Sequence, residues 1–322
     1  MKIDNTRTIR HCPHGVSESP PWGKLMMPGG ELDLLDRRSF LKCLTLGWLG
    51  MTTIATFGQM LKKDSSTTTK MPVLFAGHGS PMNAIEDNEF SRTWTALGSE
   101  LPRPLAILCI SAHWETNGTR VTAMPKPKTI HDFRGFPPEL YKKQYPADGS
   151  PEWAQITRET LRSISTEPDM NWGLDHGTWS VLCRMFPAAD IPVFQLSLDR
   201  TLPPQRHYEI GRALDALRER GLLIIGSGNM VHNLGMMEWT DKPFDWTTGF
   251  DAKLKDLIVK HDHEALIHYD RLGSEATLAI PTNEHYLPML YTLALQGKNE
   301  ALTFFTEKVV LGSISMRGFR IG

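Results

Sequence analysis

Pro72-Val73-Leu74-Phe75-Ala76-Gly77-His78-Gly79-Ser80-Pro81 is the stretch on which the reading of this chain turns. The apolar run 72–75 suits a buried strand, and it delivers a histidine into a loop flanked by glycines. Glycine lets the backbone bend and lets another group approach closely. In an open α/β sheet, the loop beyond a strand's carboxyl end is where ligands bind. Taken alone the loop is ambiguous, because a histidine among glycines also serves to cap the next helix.

Outward from that stretch, apolar runs alternate with helical patterns from Met71 onward, the signature of an α/β sheet. Strands are expected over 72–75, 105–111, 120–123, 192–198, 222–226 and a carboxy-terminal stretch near 309–321. Helices are expected over 89–97, 152–164, 179–185, 204–220, 246–261 and 285–295. In the fourth helix Ile210, Ala213, Leu214 and Leu217 fall on one face. No fixed-period repeat or internal linker interrupts the pattern. Residues 71–322 therefore read as a single α/β domain with a central, mostly parallel sheet flanked by helices.

The chain ahead of it reads differently. Residues 1–35 are polar and rich in Pro and Gly, and Asp36-Arg37-Arg38-Ser39-Phe40-Leu41-Lys42 then precedes a mostly apolar run over 43–61. The paired arginines resemble the twin-arginine export signal at every position but the first. Threonines and glycines inside the apolar run suit a signal better than a permanent anchor. An uncleaved amphipathic anchor is the competing reading. No clean Ala-x-Ala site follows, the Ser/Thr-rich 62–70 reads as a linker, and Met26 or Met27 is an alternative start. Residues 1–70 are thus expected to be a leader that hands the folded protein to the twin-arginine machinery for export to the periplasm.

Lysine plus arginine (35) nearly balances aspartate plus glutamate (36). That removes the electrostatic case for a nucleic-acid partner, which needs a concentrated cationic face. Cys12, Cys43, Cys109 and Cys183 form no CxxC pair or zinc-finger spacing. Cys109 falls in a strand and Cys183 on a helix, so two buried thiols are expected rather than a disulfide.

The 12 histidines are the more telling count, since histidine is the commonest metal ligand. His78, His113 (in Ser111-Ala112-His113-Trp114-Glu115) and His232 (in Gly228-Asn229-Met230-Val231-His232-Asn233) each follow an expected strand. In a parallel sheet such positions converge on one edge. His176 sits where a helix begins, and His285, in Glu284-His285-Tyr286, opens a late helix that reaches the same edge. Gly226-Ser227-Gly228 lacks the third glycine and distant acid of a nucleotide loop. His261, His263 and His268 are read as the solvated face of a charged helix. Residues 129–145 carry His131, Phe133, Tyr141 and Tyr145 among Pro and Gly, and suit a structured loop roofing a pocket. A self-packed surface excursion is the other reading. His207 is assigned no role.

GHGSP, SAHWET, TIHDFRGFP, DHGTW, GNMVHNL and EHYLP occur in this order, and the chain from 71 to 322 resembles the 4,5-DOPA extradiol dioxygenases. That family lies within the class III extradiol dioxygenases and is similar to the catalytic subunit of protocatechuate 4,5-dioxygenase. The resemblance implies one divalent metal, iron(II) or zinc, held by His78, His113 and His285. His232 is implied as a fourth ligand or as an acid–base, and His176 as a residue that orients substrate and moves protons. The wider superfamily has a glutamate where His285 stands, which makes the adjacent Glu284 an alternative ligand. His131, Phe133 and Tyr141 are expected to line the substrate pocket. The implied reaction is ring opening of a catechol by dioxygen, with iron(II) for turnover because zinc has no redox chemistry. A zinc-dependent hydrolase or zinc-binding protein is the alternative. Oligomeric state is not addressed by the sequence.

Overall fold

The computed structural model describes residues 70–240 and 242–322. The twin-arginine motif and the apolar run 43–61 lie outside the described residues.

The strands are β1 (Val73–Gly77), β2 (Ala106–Thr116), β3 (Thr119–Thr122), β4 (Thr166–Asp169), β5 (Val193–Asp199), β6 (Leu222–Gly228), β7 (Leu302–Phe305), β8 (Val309–Val310), β9 (Ile314–Ser315) and β10 (Gly318–Ile321). The main sheet runs β4-β3-β5-β2-β6-β1-β10-β7, and β8 pairs with β9 separately. Its centre, β5-β2-β6-β1, is parallel throughout, while β10 and β7 extend one side antiparallel and β3 joins the other side antiparallel to β5. The central strands β1, β5 and β6 are buried at every residue. β1 and the first half of β6 are continuous apolar runs, as strands covered by helices on both faces are, whereas β5 also buries Gln195, Ser197 and Asp199. The single α/β domain with a mostly parallel sheet is as the sequence indicated.

Helices α1 (Glu89–Glu100), α2 (Pro138–Lys142), α3 (Pro151–Thr160), α4 (His176–Met185), α5 (Pro204–Ala213), α6 (Asp215–Arg218), α7 (Asp245–Val259), α8 (His263–Ile267), α9 (Glu275–Ala279) and α10 (Leu287–Leu293) complete the described fold. Two apolar clusters form, one on each face of the sheet. Phe75, Leu108, Ile224, Leu290 and Phe319 belong to one, and Leu74, Ile107, Trp179, Leu223 and Met316 to the other. Adjacent residues on β1, β2 and β6 alternate between the clusters, as the two-residue strand period requires.

Several expectations are corrected. The stretch 309–321 is not one strand: Leu311 (φ 49°) and Gly312 (φ 73°) turn between β8 and β9, and β10 returns to the main sheet. The short strands β4 and β7 went unforeseen, and β4 contains Pro168, tolerated at a sheet edge. The helix expected over 204–220 divides at Leu214. That expected over 246–261 ends at Val259, and His261 takes a left-handed φ of 56°. Hence His261, His263 and His268 do not share a helix. His263 begins α8 with its Nδ1 2.8 Å from the Tyr208 hydroxyl, so it is half-buried rather than part of a solvated face. Cys109 and Cys183 are free and buried.

His207, on α5, is fully buried with Nδ1 2.9 Å from the Tyr291 hydroxyl. Burial drives its imidazole down to about 4, with Asp199 acting against the shift. The unfolded chain takes up this proton near 6.5 and the folded chain only near 4, so the unfolded state binds more protons between those values. Stability is therefore retained above pH 6.5 and lost as pH falls towards 4, by roughly 2–3 kcal/mol from this group. Urea denaturation of metal-free protein at pH 7 and pH 4.5 should show a smaller loss in His207→Gln, by about that amount.

Candidate metal centre

Five histidines converge at the carboxyl edge of the parallel strands, each placed by a different local device. His78 is the first residue after β1, and its N–H donates to the Gly228 carbonyl at 3.1 Å, extending the β1–β6 ladder. His113 lies inside β2, which pairs with β5 at Ile110↔Leu196 and next at Glu115↔Leu198. The intervening residues bulge out of register, and the bulge carries His113 to the site. His176 is the first residue of α4, whose cap is Asp175: its carboxylate accepts the Thr178 N–H at 3.1 Å. His232 is fixed by its N–H to the Ala279 carbonyl (2.9 Å) and a bridge to Ile314. His285 sits in the turn just before α10, not within the helix, and its carbonyl accepts the Asn229 N–H at 2.9 Å.

His78 Nε2 and His113 Nε2 stand 3.1 Å apart. Two imidazole nitrogens bound to one ion at about 2.1 Å stand about 3.0–3.4 Å from each other, so the spacing suits a shared metal. Donor atoms of His78, His113 and His176 lie within 4.8 Å of one another, and so do those of His232, Glu284 and His285. His285 links the groups, with its ring centroid 5.3 Å from that of His78 and 5.0 Å from that of His113. The His232 ring stacks on His285 at 3.6 Å and 9°.

The far side of three rings is held by acceptors. The Ser227 hydroxyl donates to the Gly177 carbonyl (2.5 Å), which leaves its oxygen to accept the His78 Nδ1–H at 3.0 Å. His285 Nδ1 donates to Glu284 Oε1 at 3.0 Å. His113 Nδ1 faces Asp132 Oδ2 at 3.3 Å. A proton on Nδ1 leaves the Nε2 lone pair free, the usual arrangement of a metal-binding histidine and its outer partner.

Electrostatics favour neutral imidazoles. Burial, followed by the neighbouring histidines, lowers His78 and His113 well below the ordinary range. Burial and then His285 bring His232 down to about 3. Burial also lowers His285, against the opposing pull of Glu284. For Glu284 burial acts upward, but the hydrogen bonds from His285 and from the Thr282 hydroxyl act against it and the carboxyl is held at about 2. Neutral rings beside an ionised carboxylate are ready to ligate a cation without first losing protons. An all-imidazole cluster suits zinc, iron or copper rather than magnesium or calcium, which favour oxygen ligands.

The loop 129–145 lies beside this cluster. Phe133 reaches His176, with ring centroids 5.6 Å apart, and packs on Phe136 and Tyr141 at 5.2 Å each. His131 is turned into the loop itself: its Nε2 lies 2.9 Å from the Lys143 carbonyl and its ring borders Trp179. Tyr141 is 39% exposed. Of the three pocket candidates, then, the structure brings Phe133 to the histidines, while His131 and Tyr141 support Phe133 from behind. The sequence reading overlooked Asp132, Ser227 and Asp175. Ser227 was read only as part of a glycine pair, and Asp132 only as a loop residue beside His131.

A mostly parallel α/β sheet with a cluster of metal-ready histidines at its carboxyl edge defines a metalloenzyme class with one mononuclear centre. The chain belongs to the family described as the catalytic LigB subunit of aromatic ring-opening dioxygenase, whose match spans residues 68–315. It is similar to the 4,5-DOPA dioxygenase extradiol of Escherichia coli K12, at 46% identity over 82% of this chain and 99% of the relative. The enzyme of the same name from Beta vulgaris is 39% identical over 70% of this chain and 87% of its own length. The crystal structure of an uncharacterised protein from Escherichia coli K12 superposes with a TM-score of 0.70 at 43% identity, covering 78% of this chain and all (100%) of that one. The protein is accordingly an extradiol ring-cleaving dioxygenase.

Proposed function

We propose that this enzyme opens a catechol such as DOPA beside its two hydroxyls, using iron(II) held by His78, His113 and His285. The observation that carries this reading is the 3.1 Å approach of His78 Nε2 to His113 Nε2. Ser227, Asp132 and Glu284 stand as outer partners to the Nδ1 atoms of His78, His113 and His285, Asp132 being shared with His176. The ring of His232 is instead held by stacking on His285, which supports a proton-handling role for it rather than a fourth ligand position. The names of the relatives from Escherichia coli and Beta vulgaris support DOPA or a close analogue as substrate.

When bound, iron(II) brings catecholate and dioxygen together and passes electron density between them. This chain's residues do the remainder. A catechol sheds protons as it binds, and His232, kept neutral by burial, accepts one. His176, its ring 3.8 Å from that of His113, accepts the other and later returns it to the departing oxygen. Phe133 covers His176 and presents an aromatic face to the substrate ring, with His131 and Tyr141 holding it in place.

Anaerobic loading with iron(II), addition of DOPA or caffeate, and then oxygen should give oxygen uptake and a yellow ring-opened product. Zinc loading should give neither, because zinc cannot pass electrons. Lack of uptake across a catechol panel with iron, or equal turnover with zinc, would refute the reading.

The Arg37-Arg38 motif ahead of Phe40-Leu41-Lys42 supports export of the folded, metal-loaded enzyme to the periplasm by the twin-arginine machinery. Replacing both arginines by lysine should leave the protein in the cytoplasmic fraction of its own host.

A further inference from the structure

We propose that Asp132 is a positioning residue that orients His113 and His176 together, so that one carboxylate couples the metal ligand to the proton-handling histidine. Its Oδ2 lies 3.3 Å from His113 Nδ1 and 3.0 Å from His176 Nδ1, and its Oδ1 accepts the His176 backbone N–H at 2.9 Å. His176 Nδ1 is buried and makes no aligned hydrogen bond, so this carboxylate is the charged acceptor standing against it. The oxygen sits between the two rings rather than in line with either.

Three physical consequences follow from that placement. The backbone N–H of His176 is one of the orphan donors at the start of α4, and Asp132 satisfies it from outside the helix. An acceptor facing both Nδ1 atoms selects the tautomer in which each ring carries its proton there, which frees both Nε2 atoms. The rings lie 3.8 Å apart, so a shift of the carboxylate moves both. Phe133, the next residue along, meets His176 edge-on with ring centroids 5.6 Å apart, which ties the aromatic loop to the same unit. The side chain of Asp132 is only 17% exposed, so water is poorly placed to replace it.

Asp132→Asn discriminates this role from a structural one. An asparagine oxygen can still take the His176 backbone N–H, whereas its amide cannot accept the two Nδ1 protons. The inference rests on the proposed roles of His113 and His176, and the measurements separate the two. In 15N spectra of histidine-labelled, metal-free wild type, His113 and His176 should carry their protons on Nδ1. Asp132→Asn should weaken zinc in a chelator competition by about 10–100-fold. With iron and catechol it should lower kcat at least about tenfold while KM moves less than about threefold, and Asp132→Glu should recover part of both losses. Zinc affinity and kcat within about twofold of wild type in Asp132→Asn would overturn the proposal, and so would protons on Nε2 in the wild type. If Asp132→Asn does not fold, the wild-type tautomers and Asp132→Glu decide. A wild type that binds no zinc and opens no catechol would refute the reading of the site while leaving the tautomer result to judge Asp132.

Discussion

His78→Ala should give a folded protein that holds almost no metal and opens no ring. His78 is fully enclosed, its Nε2 is 3.1 Å from that of His113, and its Nδ1 is fixed by Ser227. Removing the ring deletes one of three proposed ligands, the one whose Nε2 approaches that of His113. The loss of metal affinity and of turnover should each exceed about 100-fold, the upper end of what removal of an outer partner costs. The fold should survive, because the strand that delivers His78 is anchored independently. Phe75 stacks on Phe319 at 5.4 Å, and β1 pairs with β6 along its whole length. Metal analysis after dialysis, with far-UV circular dichroism as the check on folding, measures both. His268→Ala is the control. That histidine pairs with Glu264 on the short α8 at 3.0 Å and should behave as wild type. Wild-type metal content in His78→Ala would remove His78 from the ligand set.

The central architecture was legible because the buried strands announce themselves. Residues 72–75 and 222–226 are continuous apolar runs and 192–198 is apolar apart from Gln195 and Ser197, and β1, β6 and β5 match them with ends shifted by a residue or two. Such runs arise where helices cover both sheet faces, so the same pattern also indicated a parallel sheet. What escaped was set by tertiary context. The edge strand β4, Thr166-Glu167-Pro168-Asp169, has neither apolar character nor alternation, and pairing with β3 alone makes it a strand. The break in the carboxy-terminal stretch depends on Leu311, a non-glycine residue at positive φ, which no propensity signals.

The site was legible at the level of residue type and not of wiring. Strand-end positions identified His78, His113 and His232, and a helix start identified His176, because sheet topology alone brings those places together. The outer partners depend on contacts across 149 residues for His78 and Ser227, and across 44 for His176 and Asp132. Local sequence carries no trace of such pairs. Glu284, adjacent to His285, was legible for that reason, though as a competing ligand rather than as the acceptor on His285 Nδ1. The β2 bulge likewise depends on its register with β5 and could not be read from Ser111-Ala112-His113-Trp114.

Gly228 explains why a glycine ends β6, and Gly228→Ala should damage both stability and metal binding. A Cβ at this position would lie 2.1 Å from the His285 carbonyl oxygen and 3.0 Å from its carbon. That oxygen is backbone, held by the Asn229 N–H at 2.9 Å, so relief requires moving either the strand end or the turn bearing His285. Both movements act on proposed ligands. The Gly228 carbonyl accepts the His78 N–H at 3.1 Å, so displacing the strand drags His78, and displacing the turn drags His285. Forcing a methyl into a filled contact costs about 1–3 kcal/mol. The misplacement of two rings should weaken zinc binding further, by an amount comparable to the loss of an outer partner, about 10–100-fold. Gly249→Ala supplies the contrast. Gly249 lies within α7, and nothing stands within 4 Å of the Cβ it would gain. Alanine there should leave metal binding untouched and raise stability by about 1 kcal/mol through helix propensity. Urea denaturation of metal-free protein, paired with zinc competition, reads both quantities. Equal stability and equal zinc affinity in Gly228→Ala and Gly249→Ala would show that the close approach of β6 to the His285 turn does not set the geometry of the site.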